Sequence, residues 1–355
     1  MVQNLIKKII HLIPYNGIGG VEIAARSLST GSHGELDLER NFLVRNPNST
    51  IKAGEYHGPM ISVNNPHAYW HAFWRLLRKP PDLLVASLWR SALVLILLKM
   101  ARPKQKTILF LHAAHDMHWL DFIVKQIAMR LADGIWADST TTLNHSVSPN
   151  LQHKGQVISF LLESYSLPEI SEPTPEFIFW GRLSPLKGLE RALSIFSEIS
   201  RLAPDAHFKI IGPNGGVKNN LKARAKQLGI AENVSFISAK SQADIHTIAS
   251  SASFYLQTSI YEGMAMSVVE AMQIGLVPIV TPVGEIARYC VDGRNAVWVQ
   301  EDATAVDTVI GLLSDTEKYK RVSYAAAEYW QGKPLYRDDF LAAATKFIEG
   351  SADDM

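Results

Sequence analysis

The sequence predicts an α/β protein built as two doubly wound, Rossmann-like domains. Three observations carry this. Short apolar runs alternate with amphipathic stretches in two successive series, the pattern of repeated strand–helix–strand units. A stretch over 164–176, rich in proline and polar groups and without periodicity, separates the two series as a linker. The chain's 355 residues, 47% of them apolar, suit two cores of ordinary size better than one. The domains are therefore expected at 1–165 and 177–330.

In the first series, Ile6 to Ile13 reads as a strand, Pro14 to Glu22 as a glycine-rich loop and Ile23 to Ser29 as a helix. The dinucleotide fingerprint is not completed, because after Gly17-Ile18-Gly19 the third glycine is missing. Phe42 to Val44 and Met60 to Val63 are candidate strands. Pro81 to Ser87, Ser91 to Met100 and Thr107 to Leu111 form a clear strand–helix–strand unit of the parallel type. His112 ends it, at the carboxyl end where ligands of open α/β sheets sit. Three histidines, His112, His115 and His118, crowd one segment, but their spacing lacks the helix context or cysteines of a zinc site. No metal site is predicted. Trp119 to Leu131 reads as a helix and Gly134 to Ser139 as a strand.

The second series opens with Phe177-Ile178-Phe179-Trp180-Gly181-Arg182-Leu183, followed by Ser184-Pro185-Leu186-Lys187-Gly188. Arg182 offers a fork of N–H donors and Lys187 a compact charge, a pair that suits a diphosphate. Strands follow at Phe208 to Gly212, Val234 to Ile237, Ser253 to Leu256, Val277 to Val280 and Val297 to Val299, with helices such as Lys218 to Leu228 between them. The densest pattern is Glu262-Gly263-Met264-Ala265-Met266-Ser267-Val268-Val269-Glu270, lying between a buried strand and a helix start. Such a turn leaves backbone N–H groups at a strand's carboxyl end, where an anion can be held. A plainer reading also exists: Ser267 to Glu270 has the form of a capping box, in which Glu270 reaches back to its own helix start.

Two glutamates with seven residues between them, and the earlier Gly-Arg-Leu and Lys-Gly loop, resemble the signature of the retaining, nucleotide-sugar-dependent glycosyltransferases of family 4, glycosyl transferases group 1. Gly-Gly-Val-Glu after the first strand resembles the same family's pattern. The resemblance covers most of the chain, strongly from about 177 to 300. It implies the GT-B fold, with the two domains facing a cleft, the second binding nucleotide and the first facing the acceptor. It also implies that the last helix, 336–350, crosses back to the first domain. Glu270 would hold the ribose hydroxyls, Arg182 and Lys187 the diphosphate, and Glu262 with the backbone after it the donor sugar. The implied catalytic set is Arg182, Lys187, Glu262 and His112. The implied donor-binding set is Gly19, Gly20, Gly181, Gly263, Met264, Ala265, Met266, Ser267 and Glu270. The donor would be a UDP- or GDP-sugar, with no further cofactor, and the acceptor a glycan or lipid-linked saccharide in cell-surface polysaccharide or lipopolysaccharide synthesis. Sugar-nucleotide 2-epimerases share this architecture, and a non-catalytic nucleotide-sugar-binding module is a further alternative. Met264 stands where the family has an aromatic residue and Ala265 where it has glycine, so this loop puts sugar identity in question before activity. The chain contains no Asp-x-Asp, which speaks against a required divalent metal.

The single cysteine, Cys290, excludes an intramolecular disulfide framework and agrees with a reducing compartment, so the cytoplasm is expected. The segment from Leu5 to Ile13 is broken by Lys7, Lys8 and His11 and does not read as a secretory signal. The longest apolar run, Ala92 to Leu98, falls short of the roughly 18 residues a membrane span needs. Residues 1–160 hold 17 Lys and Arg against 10 Asp and Glu, whereas the remainder holds 18 against 24. A basic half suggests an anionic partner. Within 69–106 Tyr69, Trp70, Phe73 and Trp74 precede eight basic residues, with Asp82 the single acid. That stretch is expected to contact an anionic membrane surface. No nucleic-acid partner is expected.

Overall fold

The computed structural model describes residues 6–17, 19–47, 51–112 and 118–350. Ile18, His115 and Asp116 lie outside the described residues. The chain divides into two compact units, residues 1–162 with 334–355, and residues 163–333.

Unit 1 runs β1 (Lys7–Ile13), α1 (Gly20–Ser27), β2 (Gly31–His33), β3 (Leu36–Phe42), β4 (Glu55–His57), α2 (Pro66–Arg78), β5 (Leu83–Ser87), α3 (Leu88–Ala101), β6 (Thr107–Leu111), α4 (Trp119–Leu131), β7 (Gly134–Ala137), α5 (Thr140–Ser146) and β8 (Gly155–Val157). Its sheet has the order β2-β3-β1-β5-β6-β7-β8, with β4 beside β3. Only the β2–β3 pair is antiparallel among the described strands. Strands buried on both faces read as near-continuous apolar runs, and β5 and β6 do so apart from Ser87 and Thr107 at their ends, with no exposed residue in either. The strand order reverses at β1, between β3 and β5. The expected strand at Met60 to Val63 is absent: these residues form bends leading into the turn that Asn65 caps for α2.

Helices α2, α3 and α4 precede β5, β6 and β7 and share one apolar cluster with the sheet, through Phe73, Leu76, Leu95, Leu98, Val124 and Ala128. The last helix, α13 (Tyr336–Gly350), belongs to unit 1. Its Tyr336 and Phe340 are fully buried. Phe340 lies 5.1 Å from Trp136 and 5.3 Å from His11, ring centre to ring centre. A tight cluster of aromatic rings thus joins the chain's last helix to β1, β6 and β7.

Unit 2 runs β9 (Glu176–Trp180), α6 (Leu189–Leu202), β10 (His207–Ile211), α7 (Lys218–Gln227), β11 (Val234–Ile237), α8 (Gln242–Ala249), β12 (Phe254–Gln257), α9 (Met266–Gln273), β13 (Val277–Val280), α10 (Ile286–Tyr289), β14 (Val297–Trp298), α11 (Asp302–Ser314) and α12 (Thr316–Glu328). Its strands are ordered β11-β10-β9-β12-β13-β14 and all parallel. The order reverses between β9 and β12. Ligands of open parallel sheets sit outside the carboxyl ends at such a reversal. The loop after β9 holds Gly181, Arg182 and Lys187, and the loop after β12 holds Glu262 to Met266.

Candidate active site

The site in unit 2 is built from the two loops at that reversal. After β12, the chain turns through Glu262 and Gly263 and enters α9 with Ala265 as N-cap in the left-handed region, φ 53°. Glycine takes this conformation freely, whereas alanine pays about 1–2 kcal/mol. Two contacts hold the turn: Glu285 donates its amide to the Gly263 carbonyl at 3.2 Å, and Tyr289 donates its hydroxyl to the Met264 carbonyl at 2.9 Å. The amides of Met266 and Ser267, in the first turn of α9, have no backbone acceptor among the described residues. They sit beside the positive end of the helix dipole, a geometry suited to an anion.

Glu262 is buried, 8% exposed. Its Oε1 accepts from Lys187 Nζ at 2.6 Å, Ser259 Oγ at 2.6 Å and Gln257 Nε2 at 2.8 Å. Gln257 is fixed in turn by Tyr255, whose hydroxyl donates to Gln257 Oε1 at 2.7 Å. The Tyr255 hydroxyl also lies 2.8 Å from Ser267 Oγ and 3.1 Å from the Trp180 carbonyl. A single network therefore ties Lys187 from the first loop to the second loop and to α9. Arg182 stands apart from it, exposed and without an ion-pair partner among the described residues.

Glu270 does not cap its helix. The helix begins at Met266, and Ser267 lies inside it with its hydroxyl turned to Tyr255 and Gln257, so the capping-box reading is corrected. The Glu270 Oε2 instead accepts from the Trp180 indole at 2.8 Å, across the sheet reversal. Burial pushes its carboxyl above the usual range, opposed by hydrogen bonds from Gln242 and Trp180 and by the nearby His246. Two carboxylate oxygens offer about four acceptor sites, so the Glu270 carboxylate keeps acceptor capacity beyond Trp180 and Gln242.

The remaining sequence-predicted residues lie in unit 1. Gly19 is the N-cap of α1 and Gly20 its first residue. His112 follows β6, and its Nε2 lies 2.9 Å from Ser87 Oγ, which also lies 2.8 Å from Nε2 of the buried His11. Strand β5 passes into α3 with no loop, through Leu88 at φ 68°, and this sharp turn presents Ser87 between the two rings. His112 Nδ1 is 3.9 Å from Asp138 Oδ2. The carboxylate favours the Nδ1–H tautomer of His112, so the network assigns the Ser87 hydroxyl as donor to His112 and as acceptor from His11.

Burial lowers both imidazoles, His112 to about 3 and His11 well below its ordinary value. Their folded pKa values are depressed, so the stability they contribute is full above about 6.5 and falls as pH drops, because only the unfolded chain takes the protons there. Each histidine contributes a slope of up to about 1.4 kcal/mol per pH unit below 6.5. The expected result is a melting temperature that falls steadily from pH 7 to pH 5, with a shallower fall in His11→Asn and His112→Asn. A melting temperature indifferent to pH over that range would refute the buried neutral assignment.

The sequence reading missed Trp180, Gln242, Gln257 and Ser259 as functional positions. Gln257 and Ser259 had a local signal, two polar residues directly after an apolar strand. The Trp180–Glu270 contact had none.

Comparison with known proteins places the chain among glycosyltransferases. Residues 168–329 match the family described as Glycosyl transferases group 1. Unit 2 belongs to that family. An uncharacterised glycosyltransferase of Haemophilus influenzae is 37% identical over 146 residues, 40% of this chain and 40% of that protein. The GDP-mannose:cellobiosyl-diphosphopolyprenol alpha-mannosyltransferase of Xanthomonas oryzae is 24% identical over 179 residues, 48% of this chain and 47% of that protein. The chain thus spans less than half the length of these curated relatives. Among solved structures, Anabaena HepE in complex with UDP superposes with a TM-score of 0.80 at 15% identity, covering 96% of this chain and 100% of that one. The fold of the chain is GT-B, with two Rossmann-like domains.

Proposed function

We propose that the protein is a retaining glycosyltransferase that moves a sugar from a UDP- or GDP-sugar to a glycan or lipid-linked acceptor, without a divalent metal, in the synthesis of a cell-surface polysaccharide or lipopolysaccharide. The observation that carries this is the joint arrangement at the unit 2 reversal: Lys187 locked to Glu262 and Glu270 facing the same sheet edge beside the open amides of α9. The amides of Met266 and Ser267, with Lys187 and Arg182, are suited to the charge that grows on the departing diphosphate. Glu270 accepts the two ribose hydroxyls, and Glu262 with the backbone of Gly263 to Ala265 borders the donor sugar. His112, neutral at physiological pH, offers a hydrogen bond and no charge. HepE in complex with UDP supports the nucleotide class, and the mannosyltransferase relative supports a lipid-linked acceptor. On this reading the protein works in the cytoplasm, at the inner face of a membrane.

Calorimetry with UDP and GDP tests the reading. One of the two is expected to bind the full chain and to raise its melting temperature. Glu270→Gln exchanges one acceptor for a donor, and losing a hydrogen bond to a charged group costs roughly 1.5–3 kcal/mol, about ten- to a hundredfold in affinity. Unchanged nucleotide affinity in this variant would remove the ribose role. Turnover is expected to survive EDTA; a loss restored by magnesium or manganese would overturn the metal-free part.

A further inference from the structure

From Ala92 to Leu98, helix α3 is apolar around its whole circumference. Val94, Leu95 and Leu98 are buried against the sheet, while Leu93, Ile96 and Leu97 are only partly covered and Met100 is 71% exposed. A helix of this kind belongs in a core or against lipid. Its neighbours on either side continue the band. On α4, Trp119, Phe122, Ile123 and Ile127 recur at spacings of three and four residues and so form one stripe, with Trp119 73% exposed. On α2, Trp70 and Trp74 are exposed and meet edge to face at 5.5 Å. Single exposed apolar residues need no explanation, but a band across three adjacent helices does.

The charge around this band has one sign. Because α2, α3 and α4 all lead into parallel strands, they run in the same direction and their last turns lie along one edge of the layer. That edge carries Arg78 at the end of α2 and Lys79 after it, Arg102 and Lys104 after α3, and Arg130 in the last turn of α4, all exposed. None has an acidic partner among the described residues. The acids of the region are engaged elsewhere: Asp82 with Lys7 and the Lys8 amide, Asp121 with Lys125, Asp133 with Lys99.

We propose that the outer face of α2, α3 and α4 docks on an anionic lipid bilayer. The aromatic residues lie at the boundary of headgroups and acyl chains, and the basic edge lies on lipid phosphates. This changes the expectation for residues 69–106. Of the eight cations there, Arg75 is taken by Glu39, Lys99 by Asp133 and Lys106 by the Ile348 carbonyl. Helix α4, beyond that stretch, adds the exposed Trp119, Phe122, Ile123 and Ile127. The inference stands on unit 1 alone and is independent of the donor chemistry of unit 2.

Sedimentation of the full chain with vesicles tests it, using phosphatidylcholine alone and phosphatidylcholine with phosphatidylglycerol. Binding to the anionic vesicles is expected, weakening as salt rises. Arg78→Gln with Lys79→Gln removes two surface charges and should weaken it by about tenfold or more. Trp119→Ser with Phe122→Ser should also weaken it, while both variants keep their melting temperature and nucleotide binding. Equal partition onto neutral and anionic vesicles at low salt, or binding to neither, would overturn the proposal. So would light scattering that shows a dimer dissolved by Trp119→Ser with Phe122→Ser, because a second copy would then cover the face. Should the α4 variant fold poorly, the charge variant alone still decides the matter.

Discussion

Replacing Lys187 with alanine is expected to lower turnover by on the order of 10²- to 10³-fold, the cost of removing one preorganised donor from a developing anion. If Lys187 acts on the leaving diphosphate as proposed, the loss should fall on kcat rather than on KM for the donor, because that charge grows only in the transition state. Folding should suffer less. Without Lys187, the Glu262 carboxylate keeps the Ser259 hydroxyl and the Gln257 amide as donors. Glu262→Gln probes the same pair from the other side. It should release Lys187 from its 2.6 Å contact and so also reduce turnover, although glutamine preserves the shape. Steady-state kinetics beside thermal melting measure both variants. A Lys187→Ala enzyme with kcat intact and only KM raised would mean that Lys187 contributes uniform binding, and the assigned role would be lost.

Gly188→Ala should give a large stability loss in the second unit. Gly188 has φ 61°, and a Cβ there would lie 1.8 Å from the Thr258 carbonyl oxygen, at the end of β12. Backbone cannot yield cheaply at that point, since the Thr258 hydroxyl also donates to the Gly188 carbonyl at 2.7 Å. The left-handed backbone costs about 1–2 kcal/mol and the overlap about 1–3 kcal/mol more. For a unit of this size the sum lowers the melting temperature by roughly 5–15 °C. Gly229 supplies the control. Its φ is 74°, but nothing lies within 4 Å of the added Cβ, so Gly229→Ala pays the backbone cost alone. Equal melting temperatures in the two variants would show that the Thr258 contact is not what fixes Gly188. Thr258 sits beside Gln257 and Ser259, so Gly188→Ala should disturb the Glu262 network as well.

Much of the fold was legible because it rests on local pattern. Trp119–Leu131 and Thr107–Leu111 emerge at the ends that apolar periodicity marks, since each is bounded by turn residues and buries a continuous face. Met60 to Val63 shows the limit. Ile61 and Val63 do turn toward the apolar cluster, but four residues between Pro59 and Pro66 find no partner strand. The two glutamates of the site were visible as types at a spacing. Their partners were not. Trp180 and Glu270 are separated by 90 residues, and only the reversal of strand order beside β9 brings them within 2.8 Å. Ser267 misled because a serine three residues before a glutamate looks the same whether it caps a helix or lies inside one.

The last helix has a consequence for how the chain is made. Unit 2 is one continuous segment, 163–333, and its residues all leave the ribosome before those of α13. The second unit can therefore close during synthesis while the first still waits. Until Tyr336 and Phe340 arrive, the rings of His11, Phe110 and Trp136 have an apolar gap beside them. Contacts between residues far apart in sequence close slowly and stay exposed to wrong partners for longer. The first unit is thus completed only when α13 is available, after every residue of the second.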